Sequence, residues 1–284
     1  MRVGVHISIT GKIYESVDRA KELGCDTFQI FSRSPRSWQT NDLNKVDVEE
    51  FKKRIKVAKI TPLIVHIPYL INLASPVNFL YQRSISAYIE DIKRAEILGA
   101  NYFVTHIGNH KGKGESYGIS RIITALNQIT SRIKPSLKIL LENTAGAGTV
   151  LGYNFAQIAA IIKGIKRNRY FGLCLDTAHA YAAGYNIATK EGLDKTLKEI
   201  DELIGLNQLF LIHANDSKVA LGSRVDRHED IGRGKIGRKG FAFIINHPAL
   251  RKLPFILETP KKRPNEDVEN LKIIRALEDE MRNI

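Results

Sequence analysis

The chain has 284 residues, 43% hydrophobic and 26% charged, which supplies core material for one large α/β domain or two smaller ones and excludes a disordered chain. Lysine and arginine number 43 against 30 aspartates and glutamates, a formal charge of +13, so a polyanionic partner such as nucleic acid is expected. No apolar run approaches the ~20 residues that span a bilayer, "MRVGVHIS" carries no signal-peptide stretch, and Cys25 and Cys174 sit in apolar segments; a soluble cytoplasmic protein is expected.

Short β-rich apolar runs recur in chain order: "VGVHI" (3–7), "TFQIFS" (27–32), "LIVHI" (63–67) and "YFVTHI" (102–107), then "ILLENT" (139–144), "FGLCLDT" (171–177), "LFLIHAN" (209–215) and "PFILET" (254–259). Amphipathic stretches separate them. Ile85, Ile89, Ile92 and Ala95 recur on one helix face within 85–98, as do Leu193, Leu197, Ile200 and Ile204 within 193–204. Continuous apolar strands alternating with such helices predict parallel strands joined by helical crossovers. Eight units predict an α/β fold, a single (β/α)8 TIM barrel over 1–284, with active site and binding loops at the C-terminal face of the strands. A doubly wound open sheet is the alternative, weakened because no glycine-rich phosphate loop follows the first strand.

Nearly every run stays apolar until its end and then turns polar, at His66, His106, Glu142, Asp176, His213 and Glu258. In a parallel barrel these side chains share one rim. Any one of them is readily explained as a satisfied core histidine or a helix-capping carboxylate. Three imidazoles and three carboxylates together, with no lysine or arginine among them, are poorly solvated unless something positive lies between. A metal is the economical answer.

"DTAHAYAAG" adds His179, three residues after Asp176 and before Gly184, which can end a short turn. "GSRVDRHEDIGRGKIG" (222–237) reads as a glycine-rich, charged loop and adds Asp226 and His228. The bland explanation for that pair is a salt-bridged surface turn. Five histidines, two aspartates and two glutamates are too many ligands for one ion and suit a cluster of two or three. An imidazole-rich shell without thiols favours Zn²⁺, with Mn²⁺ or Fe²⁺ as alternatives. The positive charge remaining at such a site suits a phosphodiester, and the loop is expected to be basic because it faces phosphates.

Five segments resemble the endonuclease IV family of metal-dependent apurinic/apyrimidinic endonucleases: "HIPYLINLASP" (66–76), "LENTAGAGTVLG" (141–152), "LCLDTAHAYAAGYNI" (173–187), "HANDSKVALGSRVDRHEDIGRGKIG" (213–237) and "ILETP" (256–260). The resemblance implies a (β/α)8 barrel with three divalent ions, usually zinc, and cleavage of DNA 5′ to abasic sites to leave a 3′-hydroxyl. It also implies 3′-repair phosphodiesterase activity and a monomer. Carried over by position, His66 and His106 hold the first ion and Glu142 bridges it to the second. Asp176, His213 and Glu258 complete the second, and His179, Asp226 and His228 hold the third. Glu142 is also the candidate for activating the attacking hydroxide. Double-stranded DNA would be met by Arg36, Tyr69 and Leu70, wedges that replace lost stacking while the baseless nucleotide is flipped out. Without the resemblance, Arg36 reads as a solvated loop arginine, Tyr69 as a packed aromatic and Trp38 as a packing anchor.

Ile107 stands where many members have proline, and Ala178 where cysteine is common; neither is a ligand. His6 and His110 match no ligand role. The competing expectation is a sugar isomerase or epimerase of the xylose-isomerase-like barrels, using one or two metals on Glu142, Asp176, His213 and Glu258. It leaves His66, His106, His179, Asp226 and His228 without work.

Overall fold

In the computed structural model, which describes residues 1–261, 263 and 265–280, ten strands form. They are β1 (Arg2–Val5), β2 (Phe28–Phe31), β3 (Leu63–His66), β4 (Tyr102–His106), β5 (Lys138–Glu142), β6 (Phe171–Asp176), β7 (Leu209–His213), β8 (Asp216–Ser217), β9 (His228–Glu229) and β10 (Pro254–Leu257). The helices are α1 (Glu15–Glu22), α2 (Lys45–Ala58), α3 (Asn78–Leu98), α4 (Glu115–Arg132), α5 (Phe155–Gly164), α6 (Thr177–Ala183), α7 (Lys190–Leu203), α8 (Gly237–Asn246) and α9 (Glu266–Glu280). The end of the predicted domain range, 281–284, lies outside the described residues.

Eight strands make one parallel sheet in the order β1-β10-β7-β6-β5-β4-β3-β2. Its two ends meet through a single bridge, His6 to Gln29, where the Ile7 N–H donates to the Gln29 carbonyl at 2.7 Å. Gly4 permits this closure: a Cβ there would lie 1.6 Å from the Thr27 carbonyl oxygen. The expected barrel is present, and the open-sheet alternative is not. Among the described residues, no helix is long and apolar enough to cross a membrane.

Two cores follow from the period of two along each strand. Ile64, Val104, Leu140, Cys174, Leu211 and Ile256 are fully buried and pack together inside the barrel. Their neighbours, including Val65, Phe103, Leu141, Leu173, Ile212 and Phe255, pack outward in the larger core shared with the helices. The six strand-end candidates each lie two residues beyond one of the interior residues, and so on the same inward side. The apolar layer is the floor on which the polar layer sits.

The predicted helices are found with small differences. Ile85, Ile92 and Ala95 are buried on α3, and Leu193, Leu197 and Ile200 on α7, but Ile204 falls just past the end of α7. The starts of α2, α5 and α7 carry side-chain caps: Asn44 accepts from the Val46 and Asp47 N–H groups, Asn154 from Gln157, and Thr189 from Gly192. The region read as a plain loop contains structure, since β9 pairs antiparallel with β8, placing His228 opposite Ser217. Two-residue strands leave no periodic signal, and so the pairing was not legible. Burial pushes the Cys25 thiol up to about 11 and that of Cys174 to about 12, leaving both unreactive.

Candidate metal centre

The nine predicted ligands converge. Glu142, fully buried at the end of β5, lies at the middle: its Oε2 is 3.3 Å from both His66 Nε2 and His106 Nδ1. Its Oε1 is 3.0 Å from His213 Nδ1, which is also 3.2 Å from Glu258 Oε2. Asp226 Oδ1 is 3.3 Å from His179 Nε2 and 3.5 Å from His228 Nε2. Asp176 Oδ2 lies 4.0 Å from His213 Nδ1 and 3.8 Å from His228 Nε2.

Ligand atoms within 4.8 Å of one another form three sets: His66, His106 and Glu142; Glu142, Asp176, His213 and Glu258; and Asp176, His179 and His228. The first two match the expected grouping. The third includes Asp176, which was expected to serve the second ion alone, while Asp226 approaches it from an exposed loop with its side chain 55% accessible. Asp176 therefore joins the second and third sets as Glu142 joins the first and second.

Backbone carbonyls orient the imidazoles. The Nδ1 groups of His66, His179 and His228 donate to the carbonyls of Ile67 (2.8 Å), Asn143 (2.9 Å) and Glu258 (3.1 Å), which turns each Nε2 toward the carboxylates. His213 is turned the other way: its Nε2 donates to Gln29 Oε1 at 2.9 Å and its Nδ1 faces Glu142. The Nε2 atoms of His179 and His228 consequently face each other at 3.4 Å. Two neutral imidazoles so oriented place lone pair against lone pair, so a proton or a metal cation belongs between them.

In the metal-free chain protons fill that need. Burial disfavours a charged His179, but Asp176 and Asp226 outweigh it and raise the imidazole to about 10. Burial likewise opposes ionisation of Glu142 and Asp226; the histidines around Glu142 hold it well below the usual carboxylate range, and His179 and His228 bring Asp226 down to about 2. This donor set, imidazole and carboxylate without thiolate, fits Zn²⁺, Mn²⁺ or Fe²⁺.

Several supporting residues escaped sequence reasoning. Gln29, fully buried on β2, donates from Nε2 to Glu258 Oε1 at 2.6 Å and to His6 Nδ1 at 2.9 Å while accepting from His213. Asn215 donates to Asp176 Oδ2 at 2.6 Å and accepts from the Glu258 N–H at 2.7 Å. Asn143 pairs with the Asp176 backbone in both directions, at 2.7 and 3.0 Å. The asparagines closely follow strand-end ligands, a signal that was available. Gln29 had none, because a polar residue inside a β-run reads as alternation.

Asp216 explains the glycines after His228. Its carboxylate accepts the N–H groups of Ser217, Gly232, Gly234 and Ile236 at 2.8–3.0 Å, and a Cβ at Gly234 would sit 2.4 Å from its Oδ1. The segment wraps an internal anion. Arg224 and Arg233 also have protein partners: Arg224 lies 4.3 Å over the Tyr153 ring, and Arg233 is 3.7 Å from Asp230 and 3.8 Å from Glu269.

Above the centre the cleft has two adjoining lobes, of 1050 and 690 Å³, which share Tyr69, His106, His179 and Asp226. Tyr69 is 63% exposed and stands edge-on to Phe31 at 5.4 Å, between the lobes. Arg36 and Lys261 line the larger lobe; Leu70, Leu80 and Lys111 line the smaller. The three sequence-predicted DNA contacts are thus all on the cleft. His110 is a loop residue whose Nδ1 accepts the Gly114 N–H, and Trp38 packs beneath Arg83 at 4.6 Å.

A model of the xylose isomerase-like TIM barrel family matches residues 17–277. A probable endonuclease 4 of Halothermothrix orenii is 44% identical over 276 residues, 97% of this chain and 99% of the relative. One from Methanoculleus marisnigri is also 44% identical, covering 97% of this chain and 98% of the relative. The crystal structure of endonuclease IV from Thermus thermophilus superposes with a TM-score of 0.86 at 36% identity, covering 99% of this chain and 100% of that one. A D-tagatose 3-epimerase-like protein shares the fold alone, with a TM-score of 0.73 at 18% identity over 100% of this chain and 99% of that one. With identity sustained along nearly its whole length, the chain is an enzyme of the endonuclease IV family.

Proposed function

We propose that this enzyme hydrolyses the phosphodiester 5′ to abasic sites in double-stranded DNA, leaving a 3′-hydroxyl and a 5′-deoxyribose phosphate, and that it also removes blocking groups from 3′ ends. The observation that carries this reading is the pair of Nε2 atoms, His179 and His228, aimed at each other at 3.4 Å beside Asp226. That arrangement supports a third cation beside two that the sets sharing Glu142 would hold.

His66, His106 and Glu142 would hold the first ion, Glu142, Asp176, His213 and Glu258 the second, and His179, Asp226 and His228 the third, with Asp176 within reach of it. Bound ions would supply a water activated near neutral pH and positive charge for the phosphate oxygens. Glu142, held well below the usual carboxylate range by the histidines around it, would be the residue that takes a proton from that water. Tyr69 and Leu70 would enter the duplex where stacking is missing, and Arg36 would follow the minor groove. A baseless nucleotide is the least costly to extrude, so selectivity follows from the wedge. The enzyme is proposed to act as a monomer.

Sugar isomerisation needs only Glu142, Asp176, His213 and Glu258, and gives the first and third sets no task. The test is a labelled duplex with one abasic site, incubated with metal-replete and chelated enzyme beside an intact duplex. Incision 5′ to the lesion that chelation abolishes is expected. An uncut abasic duplex, or equal cutting of the intact control, would overturn the proposal.

A further inference from the structure

Asp226 is the odd member of the cluster. Glu142, Asp176 and His213 are fully buried on barrel strands, whereas Asp226 comes from residues 221–227, every one of them exposed. A ligand carried on such a segment reaches its position only if the segment is tied down. Three ties are present.

At the base, the Lys218 N–H donates to the Arg227 carbonyl at 3.0 Å, continuing the β8–β9 pairing. In the middle, the N–H groups of Gly222 and Arg224 donate to the carbonyls of Tyr181 (3.1 Å) and Ala182 (2.9 Å) in the last turn of α6, where the Tyr181 carbonyl also accepts the Gly184 N–H. The third tie is made by side chains. The Arg224 guanidinium lies 4.3 Å from the Tyr153 ring centroid, and the Tyr153 hydroxyl donates to Glu115 Oε1 at 2.7 Å. Gly146 gives the ring its room, since a Cβ there would sit 2.7 Å from Tyr153 Cβ.

Arg224 also adopts a left-handed backbone, φ 54°, which disfavours any residue with a side chain. That conformation turns the chain between the α6 contact and Asp226, two residues later. The stack on Tyr153 holds it there.

We propose that Arg224 and Tyr153 are positioning residues that hold Asp226 against His179 and His228, and so set the affinity of the third cation without touching it. The inference rests on the three-ion reading above. It assigns Arg224 to the integrity of the metal centre and leaves contact with phosphate to other cations of the cleft.

The test is zinc titration of the chelated full-length enzyme in graded metal buffers, with hydrogen exchange of residues 221–227 in the metal-free chain. Tyr153→Ala and Arg224→Ala should weaken the third zinc by about 10- to 100-fold, leave the first two unchanged, and speed exchange in 221–227. Tyr153→Phe keeps the ring and should stay near wild type in both readouts. Because both side chains lie at the surface of the loop contact, thermal unfolding identifies any variant that loses more than this tie. Unchanged third-ion affinity and unchanged exchange in both alanine variants would overturn the proposal. A wild-type count below three would instead remove the three-ion reading, and the exchange measurement would still decide whether the stack holds the loop.

Discussion

His179 and His228 face each other through their Nε2 atoms at 3.4 Å, each with its Nδ1 hydrogen committed to a backbone carbonyl. A cation held there would be bound by both nitrogens. In the metal-free chain, a proton does that work, since the neighbouring carboxylates raise His179 to about 10. Metal binding must displace it. At pH 7.5 zinc uptake should therefore release about one proton or more per chain, read by calorimetry in two buffers of different ionisation enthalpy. Identical heats in both buffers would contradict this.

The same shift has a consequence for stability. His179 is raised in the folded chain above its ordinary 6.5, so its contribution is fully present below 6.5 and is lost as pH rises toward 10. The chelated enzyme should lose thermal stability between pH 7 and 10, and the zinc-loaded enzyme should lose less. A Tm that falls in parallel for both forms would count against a protonated His179.

Asn215→Ala should reduce metal affinity or turnover by about 10- to 100-fold. The side chain bonds Asp176 Oδ2 and the Glu258 backbone at once, so its removal frees ligands of the second set. Metal titration with steady-state kinetics would show whether both fall; wild-type values in each would rule the role out.

Asp216→Ala should cost roughly 3 kcal/mol of stability, because several N–H groups of the glycine segment lose their acceptor together. Denaturant unfolding reads the loss. A change below about 0.5 kcal/mol, the range of an ordinary surface substitution, would mean that the segment holds its shape without the carboxylate.

If DNA is held by lysine and arginine contacts to phosphate, affinity should fall with salt at a log–log slope of about −0.9 per contact. Tyr69→Ala should impair binding to abasic duplex more than to intact duplex, given that Tyr69 stands exposed between the two lobes. A flat salt response would contradict the phosphate contacts, and equal loss on both duplexes would remove the wedge.

The barrel and the convergence of the six strand-end candidate ligands were legible because one rule governs both. Each ligand follows a buried interior residue by two positions, as His66 follows Ile64 and Glu142 follows Leu140, so apolar runs ending in polar residues encode the floor and the site together. His179 was legible from its spacing three residues after Asp176, and in the structure its N–H donates to Asp176 Oδ1 at 2.8 Å. The sharing of Asp176 between two sets was not, because it depends on the rotation of one carboxylate. Gln29 was hidden for a related reason: its partners His213 and Glu258 lie 184 and 229 residues away. What the arginines of 222–237 meet was not legible, because charge in a sequence does not reveal whether a guanidinium meets solvent, a ring or a carboxylate.

Counting metal by mass spectrometry on the natively purified chain, beside the His228→Ala variant, tests the central claim most directly. A trinuclear centre predicts close to three divalent ions per wild-type chain, with the first two retained when His228 is removed. Two ions or fewer per wild-type chain, or a count that His228→Ala leaves untouched, would contradict it.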